Sequence, residues 1–382
     1  MSARRAFVLA QLSTDWPATV FAVTTNGGAN FSVNAPTATL QGSAWIDVHR
    51  IRKAGAVEPL DLVWLGGNSW QVVVPLGAGA NAVTLEALNY AGAIVGTDTI
   101  TITNTGPTVP AAAGNLTVSE IMYHPADPTP AEVLAGFTDA DDFEFIELMN
   151  VGANPVDLTD AAFTDGIGFT FTGGTLAAGA RLLLVRNAAA FAQRYGALPI
   201  AGVYTGSLNN AGDHLLLLDR GNVPILDFSY LDASPWPVEA DGTGRSLTLL
   251  RPGSLPNPAL ATSWRVSVFK NGSPGANDAL SLGSYPTLLA YALTQTPAVT
   301  VEGGYATFTW RERIGADDAT ITPQLSSDLV LWTADPGNQS LLVPLTNTVN
   351  PDGTRTIRIR ATAPASSAAR SVFRVRVQSP AP

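Results

Sequence analysis

Residues 139–147, DADDFEFIE, bring Asp139, Asp141, Asp142, Glu144 and Glu147 close together in the chain. Two kinds of chemistry use such a set. A hard cation such as calcium takes several carboxylate oxygens, and general acid/base catalysis takes paired carboxyls with separated pKa values. The spacing favours neither. Glu144 and Glu147 are three positions apart, so on a regular strand they point to opposite faces and share a ligand only across a bulge. The calcium-loop pattern with its turn glycine is absent as well. The arrangement expected is a solvated loop running into a strand, with a structural calcium site as the alternative; no catalytic, cofactor-binding or metal-binding residue is assigned.

Glu120 and Glu147 lie inside the apolar runs VSEIM and FIELM. A buried carboxylate without partners is costly there. Each is expected to clamp a neighbouring backbone turn, with metal or ligand binding as the alternative. His124 precedes Pro125, which imposes extended geometry and suits a hydrogen-bonded residue at a strand end. It has no HxH or HExxH companion. His49 and His214 stand in alternating runs and read as surface or edge residues. No G-x-S-x-G nucleophile motif occurs, and GTGRS (242–246) reads as a turn, because a strand-like SLTLL follows where a phosphate cradle needs a helix. Trp236, flanked by prolines, and Tyr230 six residues earlier are candidates for stacking on a sugar. Trp45, Trp64 and Trp70 are expected in the core of a first unit and Trp332 in that of a third.

The composition narrows the function classes. With 46% hydrophobic and 14% charged residues, the 382-residue chain is globular and long enough for several domains. Thirty-five glycines and 27 prolines scattered between short Val-, Ile- and Thr-rich runs indicate an all-β protein. No cysteine is present, which excludes disulfides, thiolate catalysis and cysteine-ligated zinc. A net charge of -10 argues against nucleic acid as a partner. The arginines of RTIRIR (355–360) and RSVFRVR (370–376) read as a solvated strand face. No run reaches the ~20 apolar residues of a membrane span. Residues 1–13 form a leader whose AFVLA run is short for a signal peptide and which lacks a small-x-small cleavage site. The expected location is secreted or cell-surface, as part of a longer exported polypeptide, or cytoplasmic if Met1 is the true start.

The elements fall into three units, 14–106, 115–278 and 279–382, with PTVPAAAG supplying a linker at 107–114. In the first, Gly77, Gly79 and Asn81 make a turn, and Val83, Leu85 and Ala87 form an inward face by period-two alternation. In the second, AAAFAQRY predicts a helix over 188–195 ended by Gly196, and NNAGDHLLLLDRGNVPILDFSY predicts a hairpin turning at Gly221 and Asn222. The third opens with the helix-like TLLAYAL and continues as strands.

The phrases VSEIMYHP, FEFIELMN, GTLAAGARLLLVRN, NNAGDHLLLLD, SPWPVEADGTGRSLTLLRP and NGSPGAND, in this order, resemble a bacterial lamin-tail domain. WQVVVPLGAGANAVTLEALNYAG resembles the closing strands of bacterial Ig-like domains. LLAYAL and SSDLVLW resemble a carboxy-terminal β module of large exported proteins from Verrucomicrobia and Planctomycetes, lineages that often place such units after a CotH-type kinase-like domain. The resemblance implies tandem Ig-like β-sandwiches with a lamin-tail-type sandwich in the centre, and a packing role for Trp236. It implies a non-catalytic extracellular or cell-surface interaction or spacer protein, with an unknown protein or glycan at the cell surface as partner. The alternatives are a carbohydrate-binding module and an accessory part of a CotH-type kinase-like or hydrolytic enzyme. No kinase phosphate loop or metal-binding Asp motif is readable here.

Overall fold

A computed structural model describes residues 19–334, 341–366 and 372–379. The expected leader at 1–13, the start of the first unit at 14–18 and Arg370 lie outside the described residues. The protein is mostly β, with its strands in several largely antiparallel sheets. The described residues divide into two compact units, and the chain crosses between them several times: one holds 19–117, 149–181 and 214–228, the other 118–148, 182–213 and the described residues from 229.

In the first unit, Thr37–Ser43 pairs with Ser69–Pro75, and Gly79–Asn89 with Ile94–Asn104, in two four-stranded sheets. Their alternate residues, among them Leu40, Trp70, Val83, Leu85 and Ile102, form one core. Gly42 makes room for it, since a Cβ there would collide with the Trp70 ring. Of the tryptophans expected in this core, Trp70 is buried, Trp45 is half-buried and Trp64 is 43% exposed. Trp64 misses the core because Val63–Gly66 is an edge strand, all four of its residues exposed.

The segment expected as a linker carries a short strand instead. Val109–Pro110 runs parallel to Val156–Asp157, with the amides of Val109 and Ala111 donating to the carbonyls of Pro155 and Asp157. Pro110, which has no N–H, falls between those two donors, the position an edge strand allows. The hairpin Gly212–Leu218 and Pro224–Leu231 turns as expected at Gly221 and Asn222: the Asp219 carboxylate accepts from the amides of Gly221 and Val223, and Asn222 takes φ +58°.

The second unit contains most of a six-stranded sheet, in the order Gly202–Val203, Arg181–Val185, Phe145–Asn150, Leu116–Met122, Leu247–Leu249 and Trp264–Val266. Every residue of Leu116–Met122 is buried, as a central strand covered on both faces must be. The expected helix spans Ala188–Tyr195, capped by the Asn187 side chain and stopped by Gly196 at φ +84°. Its Phe191 packs on Met122, Phe145, Leu183 and Val185. A second helix, Pro130–Leu134, starts with a Thr129–Glu132 capping box and Pro130 at its first position.

Further along, Tyr305–Arg313, Thr354–Pro364 and Leu342–Val349 build a four-stranded sheet with Ala298–Glu302, and Thr320–Ser326 pairs with Val372–Gln378. The expected short helix is Leu288–Ala292. Trp310, Phe308 and Ile359 fill this core; Trp332 does not, because it lies beside a loop with Arg374 stacked over its ring at 3.9 Å. Alternation in Val372–Gln378 leaves Arg374 and Arg376 exposed and turns Phe373, Val375 and Val377 inward. Among the described residues, no helix is long and apolar enough to cross a membrane.

Candidate functional site

Glu120 and Glu147 sit on the neighbouring strands Leu116–Met122 and Phe145–Asn150, both 1% exposed. Period-two alternation within an apolar strand leaves them no route to solvent, so their charge or proton must be met from inside. The donors come from the Asn271–Gly275 turn and from hydroxyls on the adjoining strands. Glu120 accepts from the Ser273 amide at 2.9 Å and hydroxyl at 3.0 Å, and from the Ser246 hydroxyl. Glu147 accepts from the Gly275 amide and the Ser119 hydroxyl, each at 2.6 Å. The turn lies close enough that a Cβ on Gly272, which has φ +71°, would run into the Glu120 carboxylate. Both glutamates thus clamp one backbone turn, as their burial in apolar strands led us to expect.

Burial pushes the Glu120 carboxyl up to about 8, and the neighbouring Glu147 adds to the rise; the bonds from Ser246 and Ser273 oppose it. A protonated Glu120 is compatible with these contacts because a serine hydroxyl can turn from donor to acceptor.

The acidic run resolves into separate roles. Ala140–Phe143 is a short 3-10 turn whose cap, the Asp139 carboxylate, accepts from the Asp141 amide. Arg186 approaches Asp141 at 3.0 Å, Glu144 at 3.6 Å and Asp139 at 3.7 Å, and the Asn187 side chain donates to Asp142. Glu144 departs from the expectation of a solvated loop: it is fully buried and accepts from Tyr204 Oη at 2.9 Å and the Leu208 amide at 3.0 Å. Burial raises its carboxyl to about 8 against those two bonds. The fold supplies a guanidinium where a calcium ion would need to sit. Among the described residues, no group of three or more His, Asp or Glu side chains is arranged to hold a metal ion.

Three further buried ion pairs, at two places, escaped sequence reasoning. Glu132 meets Arg194 at 2.8 Å, and the Arg194 guanidinium lies 3.4 Å over the Phe143 ring and donates to the Ala126 carbonyl. That guanidinium, despite burial, holds the Glu132 carboxyl down at about 2. Arg265 is buried between Asp278 and Asp317, each at 2.6 Å. The TPAEVL capping box could have announced Glu132; nothing local announces Arg265.

The histidines hold no common site. His124 Nδ1 pairs with Asp241 at 2.5 Å, in keeping with a hydrogen-bonded strand end. His49 is exposed and stacks on Tyr90. His214 bridges Asp165 at 2.8 Å and Asp227 at 2.9 Å, and these two bonds raise its pKa. Gly242 and Gly244 take positive φ in a turn before the Leu247–Leu249 strand, as GTGRS led us to expect. Trp236 is 6% exposed against Trp264 and Tyr230 is fully buried, so neither offers a free ring face to a sugar.

The family model described as Lamin Tail Domain matches residues 109–232. This stretch is a lamin tail domain, an Ig-like β-sandwich. No curated protein matches the chain. The match contains Glu120, Glu144 and Glu147, whereas Ser246, Ser273 and Gly275, which hold two of them, lie beyond its end.

Proposed function

We propose that this chain is a non-catalytic interaction or spacer protein of the cell surface, in which an Ig-like domain precedes the lamin tail domain and a β module follows it. On this reading the lamin-tail unit runs on to about residue 278; the alternative is an accessory part of a CotH-type kinase-like or hydrolytic enzyme. One observation carries the non-catalytic part: most of the carboxylate oxygens that mark the chain chemically are taken up by donors of the fold, Glu144 Oε1 being buried without a hydrogen bond. Glu120 and Glu147 hold a turn, Glu144 Oε2 is held by Tyr204 and Leu208, Asp139 and Asp141 gather round Arg186, and Asp142 accepts from Asn187. A general acid must reach its substrate's proton within hydrogen-bond distance, and these groups spend that reach internally. The extension to 278 rests on Leu247–Leu249 and Trp264–Val266 continuing the sheet of Leu116–Met122.

The test is turnover. Purified protein incubated with ATP and with soluble polysaccharides is expected to release neither phosphate nor new reducing ends above buffer. Turnover that disappears in Glu144→Gln or Glu147→Gln would overturn the reading.

A further inference from the structure

A cavity of about 420 Å³ opens between the 234–239 loop and the strands carrying Asn347 and Arg355. That volume lies in the range of small-ligand sites, roughly 300–1,000 Å³. Its walls differ in chemistry. The 234–239 loop contributes Pro235, Trp236, Pro237 and Glu239, and the facing strands contribute Asn347 and Arg355.

Arg355 decides the ligand class. Its Nε is buried and forms an ion pair with Glu312 at 3.8 Å, too long for a hydrogen bond. Glu312 thus takes the Nε edge of the guanidinium, while the Arg355 side chain, 23% exposed, lines the cavity with its terminal nitrogens. Arg265, the other arginine of the wall, is already committed to Asp278 and Asp317. A planar guanidinium with open donors selects a carboxylate, which it can grip through two parallel bonds. The remaining walls select what bears that carboxylate. The saturated pyrrolidine rings offer van der Waals contact to the C–H face of a pyranose, and an amide together with a carboxylate answers hydroxyls as both donor and acceptor.

We propose that this cavity binds a hexuronate unit of an acidic saccharide, its carboxylate on Arg355, its hydroxyls on Asn347 and Glu239, and one ring face on Pro235 and Pro237. The site deepens the interaction role proposed above and rests on it. It differs from the sugar platform first expected at Trp236 and Tyr230, since the contact is made by exposed proline rings and an arginine instead of a free indole face.

The test is a calorimetric titration of the full chain with digalacturonate, its dimethyl ester and cellobiose, with the sugar recovered and sized afterwards. Digalacturonate is expected to bind, with the ester and cellobiose weaker by about tenfold or more, the loss of one paired carboxylate. Arg355→Gln should weaken the acid to the level of the ester and leave the ester unchanged; Asn347→Ala should weaken both. Absence of binding at millimolar digalacturonate, or equal binding of acid and ester, overturns the site. The acid–ester comparison uses the unaltered chain, so it decides even if Arg355→Gln does not fold. Failure here leaves the interaction role standing, whereas shortening of the recovered sugar would remove that role.

Discussion

At the scale of single residues, the buried carboxylates set how stability responds to pH. Glu120 and Glu144 both rise from 4.5 to about 8 in the folded chain. The native state therefore holds two protons that the unfolded chain has released once the pH exceeds their ordinary value. Stability from this source is complete below about pH 4.5 and is lost as pH rises through about 8. His214 adds the same sign, since its two aspartate partners raise its pKa. The thermal midpoint is expected to fall between pH 5 and pH 9, and Glu120→Gln, which stays neutral, is expected to fall less steeply. A Glu120→Gln profile with the same slope as the parent would show that this carboxyl is not the source.

At the scale of elements, the Asn271–Gly275 turn depends on a residue without a Cβ. Gly272 combines positive φ with a carboxylate in the way of any side chain. Gly272→Ala is expected to cost roughly 1–3 kcal/mol for the backbone alone, more with the collision. Gly114 has neither feature: nothing lies within 4 Å of where its Cβ would be. Gly114→Ala is the control, and chemical denaturation of both variants should separate them. Equal midpoints would mean that the turn moves away from Glu120 at no cost.

The same element scale explains what could be read in advance. The hairpin at Gly221–Asn222 and the helix Ala188–Tyr195 follow from turn and capping residues adjacent to the periodic runs they end, so local sequence was enough. The strand at Val109–Pro110 was not legible, because among the described residues its strand partner is Val156–Asp157, 47 residues further on (156 − 109), and a proline-rich segment signals linker by itself. Trp64 and Trp332 were misplaced for a related reason: an aromatic residue in an apolar run reports hydrophobicity, while its position on an edge strand or loop is decided by tertiary pairing. The need of Glu120 for donors could be inferred from VSEIM. The identity of those donors could not, since Ser246 and Ser273 lie 126 and 153 residues away.

At the scale of the whole molecule, interior charges tie together distant parts of the second unit. Arg265 joins Asp278 and Asp317 across 52 residues of chain, with all three buried. Arg265→Met would leave two carboxylates buried without a counter-charge, and a loss of about 3–5 kcal/mol is expected in denaturant unfolding. A smaller loss, below about 1 kcal/mol, would place this pairing in the weakly stabilising class of surface bridges.

Glu120 and Glu147 serve the fold by holding the turn at 273–275. Amide hydrogen exchange on Glu147→Ala tests this role most directly, because Gly275 N–H donates to that carboxylate at 2.6 Å. The predicted result is faster exchange at Gly275, with the Leu247–Leu249 strand keeping its protection. Unchanged protection at Gly275 in a folded Glu147→Ala protein would contradict the clamp and return this carboxylate to the search for chemistry.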